Sequence, residues 1–249
     1  MWRNFSSKLL SAPEDFKIWK AIVLIVWVFA GFILAQVVIG LLLVLVRTLG
    51  VSFDAVNEST FQAVTAAIIY VLSLGIIIGV PWAIRRYRTT REEIGLTQLP
   101  TWSDILLSPI AFIVYIILSL ILTTLASGLP FYNAEQVQDT GFTQLTHGFE
   151  YLLAFITLVV VAPVAEEILF RGYLLGKLRK HVPLWTAILL TSLLFGFIHF
   201  AWNVGVDVFA LSIVLCILRV STGRLWPSIM LHMLKNGIAF YFLFINPLL

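Results

Sequence analysis

The chain is poor in the residues on which soluble domains and covalently stapled folds depend. It has one cysteine, Cys216, which excludes an internal disulfide and any multi-cysteine metal site. Charged residues are only 12% of its 249 positions, about half the share found in soluble domains. Hydrophobic residues make up 60% and the mean hydropathy is +1.00. Such a chain is not a soluble globular protein but a polytopic membrane protein in contact with the lipid bilayer. The formal charge of +3 does not point to nucleic acid, because the basic residues fall between apolar runs and not along one face. Internal repeats and low-complexity tracts are also lacking.

What the chain does have is seven apolar runs long enough, or nearly so, to cross ~30 Å of hydrocarbon. They lie at roughly 21–46, 61–84, 105–126, 151–170, 184–201, 205–219 and 225–245. This predicts an all-α fold, a polytopic bundle of about seven transmembrane helices forming one membrane domain over 1–249. Within it, 1–126 reads as a set of N-terminal helices and 150–245 as a helical core. Runs five and six are short and are joined only by Trp202, Asn203 and Val204. The first run, from Ala21 to Val46, far exceeds the ~7–15 apolar residues of a signal peptide and is expected to stay as a spanning helix.

Basic residues collect in alternate loops. Arg3, Lys8, Lys17 and Lys20 precede run one, and Arg85, Arg86, Arg88 and Arg91 follow run two. Arg171, Lys177, Arg179 and Lys180 follow run four, and Arg219 and Arg224 follow run six. The intervening loops hold almost none. The positive-inside rule then puts the N-terminus in the cytoplasm and the C-terminus outside, in a plasma or inner membrane. The segment from Ser127 to Glu150, with Asn133, Glu135, Gln136, Gln138 and Asp139, reads as an external loop.

Few polar side chains enter the runs. A charge at the centre of a spanning helix costs roughly 2.5–3.5 kcal/mol on insertion scales, so those present are candidates for function. Glu166 and Glu167 end run four and Arg171 follows them, His199 closes run five, and His232 and Asn236 lie one turn apart on run seven. On a helix, Glu167 and Arg171 are four apart and within ion-pair reach. Glu166 is rotated by about 100° and is left to face a cavity. Pro163, one turn earlier, removes a backbone hydrogen bond and can bend the helix there. Measured from a turn near residue 182, Glu166 and His199 fall at nearly equal depth at ~1.5 Å per residue.

A carboxylate in such a cavity can serve as general base toward water, and an imidazole beside it can orient that water. An imidazole and an amide one turn apart can donate hydrogen bonds to a developing oxyanion. Together these are the means to hydrolyse an amide bond without a covalent intermediate. Other polar residues take plainer readings. Glu92 and Glu93 read as a solvated pair, His147 and His181 as loop residues, Gln36 and Tyr115 as singly packed. Trp19, Trp82, Trp185 and Trp226 read as interface anchors.

At these positions the sequence resembles the CPBP family of intramembrane endopeptidases, which groups type II CAAX prenyl proteases with bacteriocin-processing and abortive-infection proteins. Glu166, Glu167 and Arg171 fit its Glu-Glu-x-x-x-Arg motif, Phe195 and His199 its Phe-x-x-x-His, and His232 and Asn236 its His-x-x-x-Asn. Residues 91–96, Arg-Glu-Glu-Ile-Gly-Leu, resemble a loop found upstream in bacterial members. The resemblance implies endoproteolysis by a glutamate-activated water. Glu166 would be the base, His199 its partner on the water, His232 and Asn236 the oxyanion pair, and Glu167, Arg171 and Phe195 the support. It implies no cofactor, with zinc on Glu166, His199 and His232 as the minor alternative. The implied partner is a peptide or protein substrate: a prenylated C-terminus, a leader peptide or a membrane protein. Lys235, inside the last motif, faces either the cavity or the cytoplasmic surface. Two other classes compete: a non-catalytic immunity or scaffolding protein, and a proton-coupled transporter. The intact motif set weighs against the first, the lack of repeats against the second.

Overall fold

The computed structural model describes residues 13, 16–130, 132–133, 142 and 145–246. Arg3, Lys8, Glu135, Gln136, Gln138 and Asp139 lie outside the described residues. Among the described residues the fold is all helical. Among the described residues, six helices are long and apolar enough to cross a membrane: α1 (Ile18–Thr48), α2 (Glu58–Arg85), α4 (Trp102–Ala126), α5 (Gly148–Leu178), α7 (Trp202–Thr222) and α8 (Trp226–Ile245). Between α2 and α4 lies a short helix, α3 (Arg91–Ile94). The remaining apolar helix, α6 (Leu184–Phe197), has 14 residues, so it is about 21 Å long and shorter than the hydrocarbon layer. The expected count of about seven is thus six full spans plus one short helix. Run five is cut short because the chain turns after Phe197, and Trp202 to Val204, expected as the link, already belong to α7.

Apolar side chains cover these helices all round, so each presents hydrocarbon to lipid and a narrower stripe to its neighbours. The core lies around α5 and α6, where Leu169, Phe170, Leu174, Leu175, Leu178, Ala187 and Phe195 are fully buried. Helices α6 and α7 form a close hairpin. A Cβ on Gly196 would stand 2.7 Å from the Gly205 carbonyl oxygen, so only glycine lets the two backbones meet there.

The loops expected on the cytoplasmic side all gather at one end of the bundle. Glu93 of α3 pairs with Lys177 at 3.1 Å and Lys180 at 2.9 Å. Its backbone carbonyl accepts from Arg219 at 2.9 Å, and Leu225 N–H donates to the Gly95 carbonyl. Arg224 pairs with the buried Asp104 at 2.7 Å. Glu93 is therefore not the solvated residue expected. Burial pushes its carboxyl up, but the hydrogen bonds and charges of Lys180 and Lys177 outweigh that and hold it at about 2. The short helix is fixed by a reciprocal cap between Thr90 and Glu93, and Ile94 rests directly on Gly172 of α5. At the opposite end Asn57 Nδ2 donates to Glu150 at 2.7 Å. His147, read as a loop residue, caps the start of α5 there: its backbone N–H donates to Glu150, and its Nδ1 meets the Thr146 hydroxyl at 2.8 Å.

Candidate active site

Helix α5 is not a regular α-helix. Two stretches, Ile156–Val161 and Ile168–Leu174, follow the wider π pattern, with the α-helical Ala162–Glu167 between them. Such stretches are often found at functional sites. The sequence reading treated this segment as a plain helix. Pro163 supplies the physical reason for one consequence. Ala162 N–H donates five residues back, to Thr157 O. In that register Leu158 O would pair with residue 163, but proline has no N–H to give. The orphaned Leu158 carbonyl accepts instead from Asn236 Nδ2 at 2.9 Å, as an interrupted membrane helix requires. One of Asn236's two amide hydrogens is thereby committed to joining α8 to α5.

The two glutamates differ as expected. Glu167 is fully buried and accepts from Arg171 Nη1 at 2.8 Å, with Arg171 itself fully buried. The same Glu167 oxygen also lies 2.9 Å from His232 Nδ1. The carboxylate therefore draws the Nδ1–H of His232 as well as the guanidinium, a link the sequence did not suggest. Glu166 retains some exposure, 13% of its side chain, and its Oε2 is 3.7 Å from His232 Nε2. Its other oxygen, Oε1, accepts from the Tyr70 hydroxyl at 2.6 Å. Tyr70 comes from α2, and nothing in the apolar run 61–84 singles it out.

His199 does not sit on a helix, as its place in run five suggested. It stands in the turn after α6, followed by Phe200 at a φ of +54°, a costly conformation for a bulky side chain. His199 Nδ1 lies 2.8 Å from the Phe195 carbonyl oxygen. A carbonyl only accepts, so the Nδ1 carries a proton and, in the neutral ring, Nε2 keeps its lone pair. Phe195, fully buried, is the hub beneath the site. The Arg171 guanidinium lies 4.3 Å above its ring centroid, and His199 and His232 meet it edge-on at 5.1 and 5.8 Å.

Glu166, His199, His232, Asn236 and Lys235 all line one polar cavity of about 320 Å³, walled by Tyr70 and Gln62 of α2 and Thr157 of α5. Lys235 thus faces the cavity and does not reach for the surface. It pairs at 3.6 Å with Asp207, whose Oδ1 accepts from Tyr115 at 2.7 Å and Ser119 at 2.6 Å. Tyr115 is therefore a hydrogen-bonded buttress, not an isolated packed residue. Sequence reading missed Asp207 as well, because it lies on a different helix from every motif residue. Among the described residues, no three of His, Cys, Asp and Glu are grouped as a metal would need. His232 Nδ1 and His199 Nδ1 are both engaged within the protein.

Residues 148–238 match the family described as type II CAAX prenyl endopeptidase Rce1-like. The chain is 29% identical over 98 residues to an uncharacterized 24.3 kDa protein of Escherichia coli, covering 37% of this chain and 45% of that protein. It is 29% identical over 94 residues to the membrane-embedded CAAX protease MroQ of Staphylococcus aureus (strain USA300), covering 35% and 38%. The matches thus span less than half the length of either relative. No solved structure matches the chain. The matched segment holds every motif residue from Glu166 to Asn236, on a bundle of membrane-spanning helices. Over that segment the chain, an integral membrane protein with six helices long and apolar enough to span among its described residues, is similar to the Rce1-like, type II CAAX prenyl endopeptidase family.

Proposed function

We propose that the protein is an intramembrane endopeptidase in which Glu166 activates water. The observation that carries this reading is that Glu166 and His199 border one polar cavity, with His199 Nδ1 held by the Phe195 carbonyl so that Nε2 is the nitrogen left for water. Both are acceptors, so a water between them can donate one hydrogen to each and turn its oxygen lone pair toward a peptide carbonyl. The water oxygen attacks the carbonyl carbon as Glu166 takes its proton. Glu166 then returns that proton to the leaving amine nitrogen as the C–N bond breaks. A positioned base of this kind contributes about 10²–10⁴-fold.

The oxyanion is held by His232 and the second amide hydrogen of Asn236. With Nδ1 turned to Glu167, His232 leaves its Nε2 for the oxyanion. The reaction runs without a metal. The membrane is a plasma or inner membrane with the active site on its cytoplasmic side, as the position of His232 about 9 Å along α8 from the basic end supports, while the lining at Gln62, Phe142 and Phe244 extends the cavity toward the opposite end. The substrate is a prenylated C-terminus, a leader peptide or a membrane-anchored protein.

The test compares membrane-derived peptides from cells carrying wild-type or Glu166→Gln protein, with a strong chelator as a second arm. Peptides that vanish with Glu166→Gln and persist under chelation are expected. An unchanged peptide profile in the variant sinks the proposal. Loss under chelation, restored by zinc, replaces it with a metal-dependent one.

A further inference from the structure

We infer that Tyr70 is a positioning residue for Glu166, and that α2 therefore belongs to the catalytic chamber. This rests on the hydrolytic role proposed for Glu166 but goes beyond it, because Tyr70 lies outside the matched segment 148–238. Gln62, Ala66 and Tyr70 lie four residues apart on α2, hence on one face, and all three line the cavity. At the end of that stripe the Tyr70 hydroxyl donates to Glu166 Oε1 at 2.6 Å. That is at the short end of the O–H···O range.

The two oxygens of a free carboxylate exchange by rotation about the last side-chain bond, which is soft. Tyr70 removes that freedom by holding Oε1 against α2. Oε2 is then the oxygen nearest His232 and the one left for water. The remaining charged and titratable groups around Glu166 do not do this. Glu167 and Arg171 on its own helix face each other. His232 stands at 3.7 Å, beyond hydrogen-bond distance. Lys235 and Asp207 pair across the cavity wall, and His199 is held by Phe195 O. Among the described residues, the Tyr70 phenol is the hydrogen-bond donor to the Glu166 carboxylate. It meets the base rather than the substrate, so its effect belongs to turnover and not to binding.

The test uses the full chain purified in detergent. The infrared difference between wild type and Glu166→Gln isolates the Glu166 carboxyl bands and needs no substrate. Tyr70→Phe removes only the oxygen and is expected to shift those bands. 3-Fluorotyrosine in place of Tyr70 keeps the ring and strengthens the donor, and is expected to shift them the opposite way. With a peptide whose release depends on Glu166 as substrate, Tyr70→Phe is expected to lower kcat about tenfold at constant KM and constant melting temperature. Bands that do not move in either variant overturn the inference, as does a moved band with unchanged kcat. Failure of the underlying hydrolytic reading looks different: Glu166→Gln itself then releases peptides normally.

Discussion

Removing either charge of the Glu167–Arg171 pair should destabilise the protein, while removing both should cost little more than removing one. Both side chains are fully excluded from solvent and 2.8 Å apart. A buried pair broken by deleting one partner costs about 3–5 kcal/mol, because the survivor is left uncompensated, whereas replacing the whole pair by neutral groups of similar size is often close to neutral. Here the survivors differ. In Glu167→Gln the guanidinium keeps the Phe195 ring, 4.3 Å away, a contact of about 2 kcal/mol where it is desolvated. In Arg171→Met the carboxylate keeps His232 at 2.9 Å. Each single change should therefore fall toward the lower end, about 3 kcal/mol. The double variant Glu167→Gln/Arg171→Met should stay near 3 kcal/mol instead of about 6, a coupling at the upper end of measured values. Reversible unfolding in mixed micelles, followed by tryptophan fluorescence, measures all four corners of the cycle. Singles that cost under about 1 kcal/mol, or that simply add, would refute the account of the pair as one buried unit. A Glu167→Gln protein of wild-type stability but without activity would move Glu167 from support into the chemistry.

Two further outcomes follow from other parts of the fold. Glu93 has a carboxyl held at about 2 in the folded protein, below the ~4.3 of a free glutamate, so its stabilising effect is present above that higher value and is lost as pH falls toward 2. Glu93→Gln should thus be less stable than wild type at neutral pH by about 1 kcal/mol, the scale of partly exposed pairs, with the gap closing between about pH 4.5 and 2; a gap constant over that range in melting curves would contradict it. Gly196→Ala places a Cβ 2.7 Å from the Gly205 backbone oxygen, so α6 and α7 must part. A loss of about 1–3 kcal/mol, with reduced peptide release because His199 follows three residues later, is the expected result; a wild-type melting curve would contradict it.

The division between what was legible in the chain and what was not has a physical basis. Length and spacing of apolar runs predicted the all-helical membrane bundle, because hydrocarbon leaves the backbone no partner but itself. Spacing of four predicted the Glu167–Arg171 pair, since neighbours on one helix depend only on local geometry. The same residues suggested that Glu166, His199, His232 and Asn236 share a cavity, and all four line it. Local spacing could not foresee which partners come from other helices. Tyr70 on Glu166, Asp207 on Lys235, Glu93 on its two lysines and His232 on Glu167 are all contacts between elements, set by helix rotation and packing. Nor could it give the π register of α5, which leaves Leu158 O for Asn236 and turns an apparent oxyanion residue partly into a helix-to-helix tie. The sequence by itself determined the solvent this protein lives in and the chemical groups it carries into it. Only the tertiary structure decided which of those groups hold one another and which are left facing the cavity, because that choice depends on the rotation of whole helices.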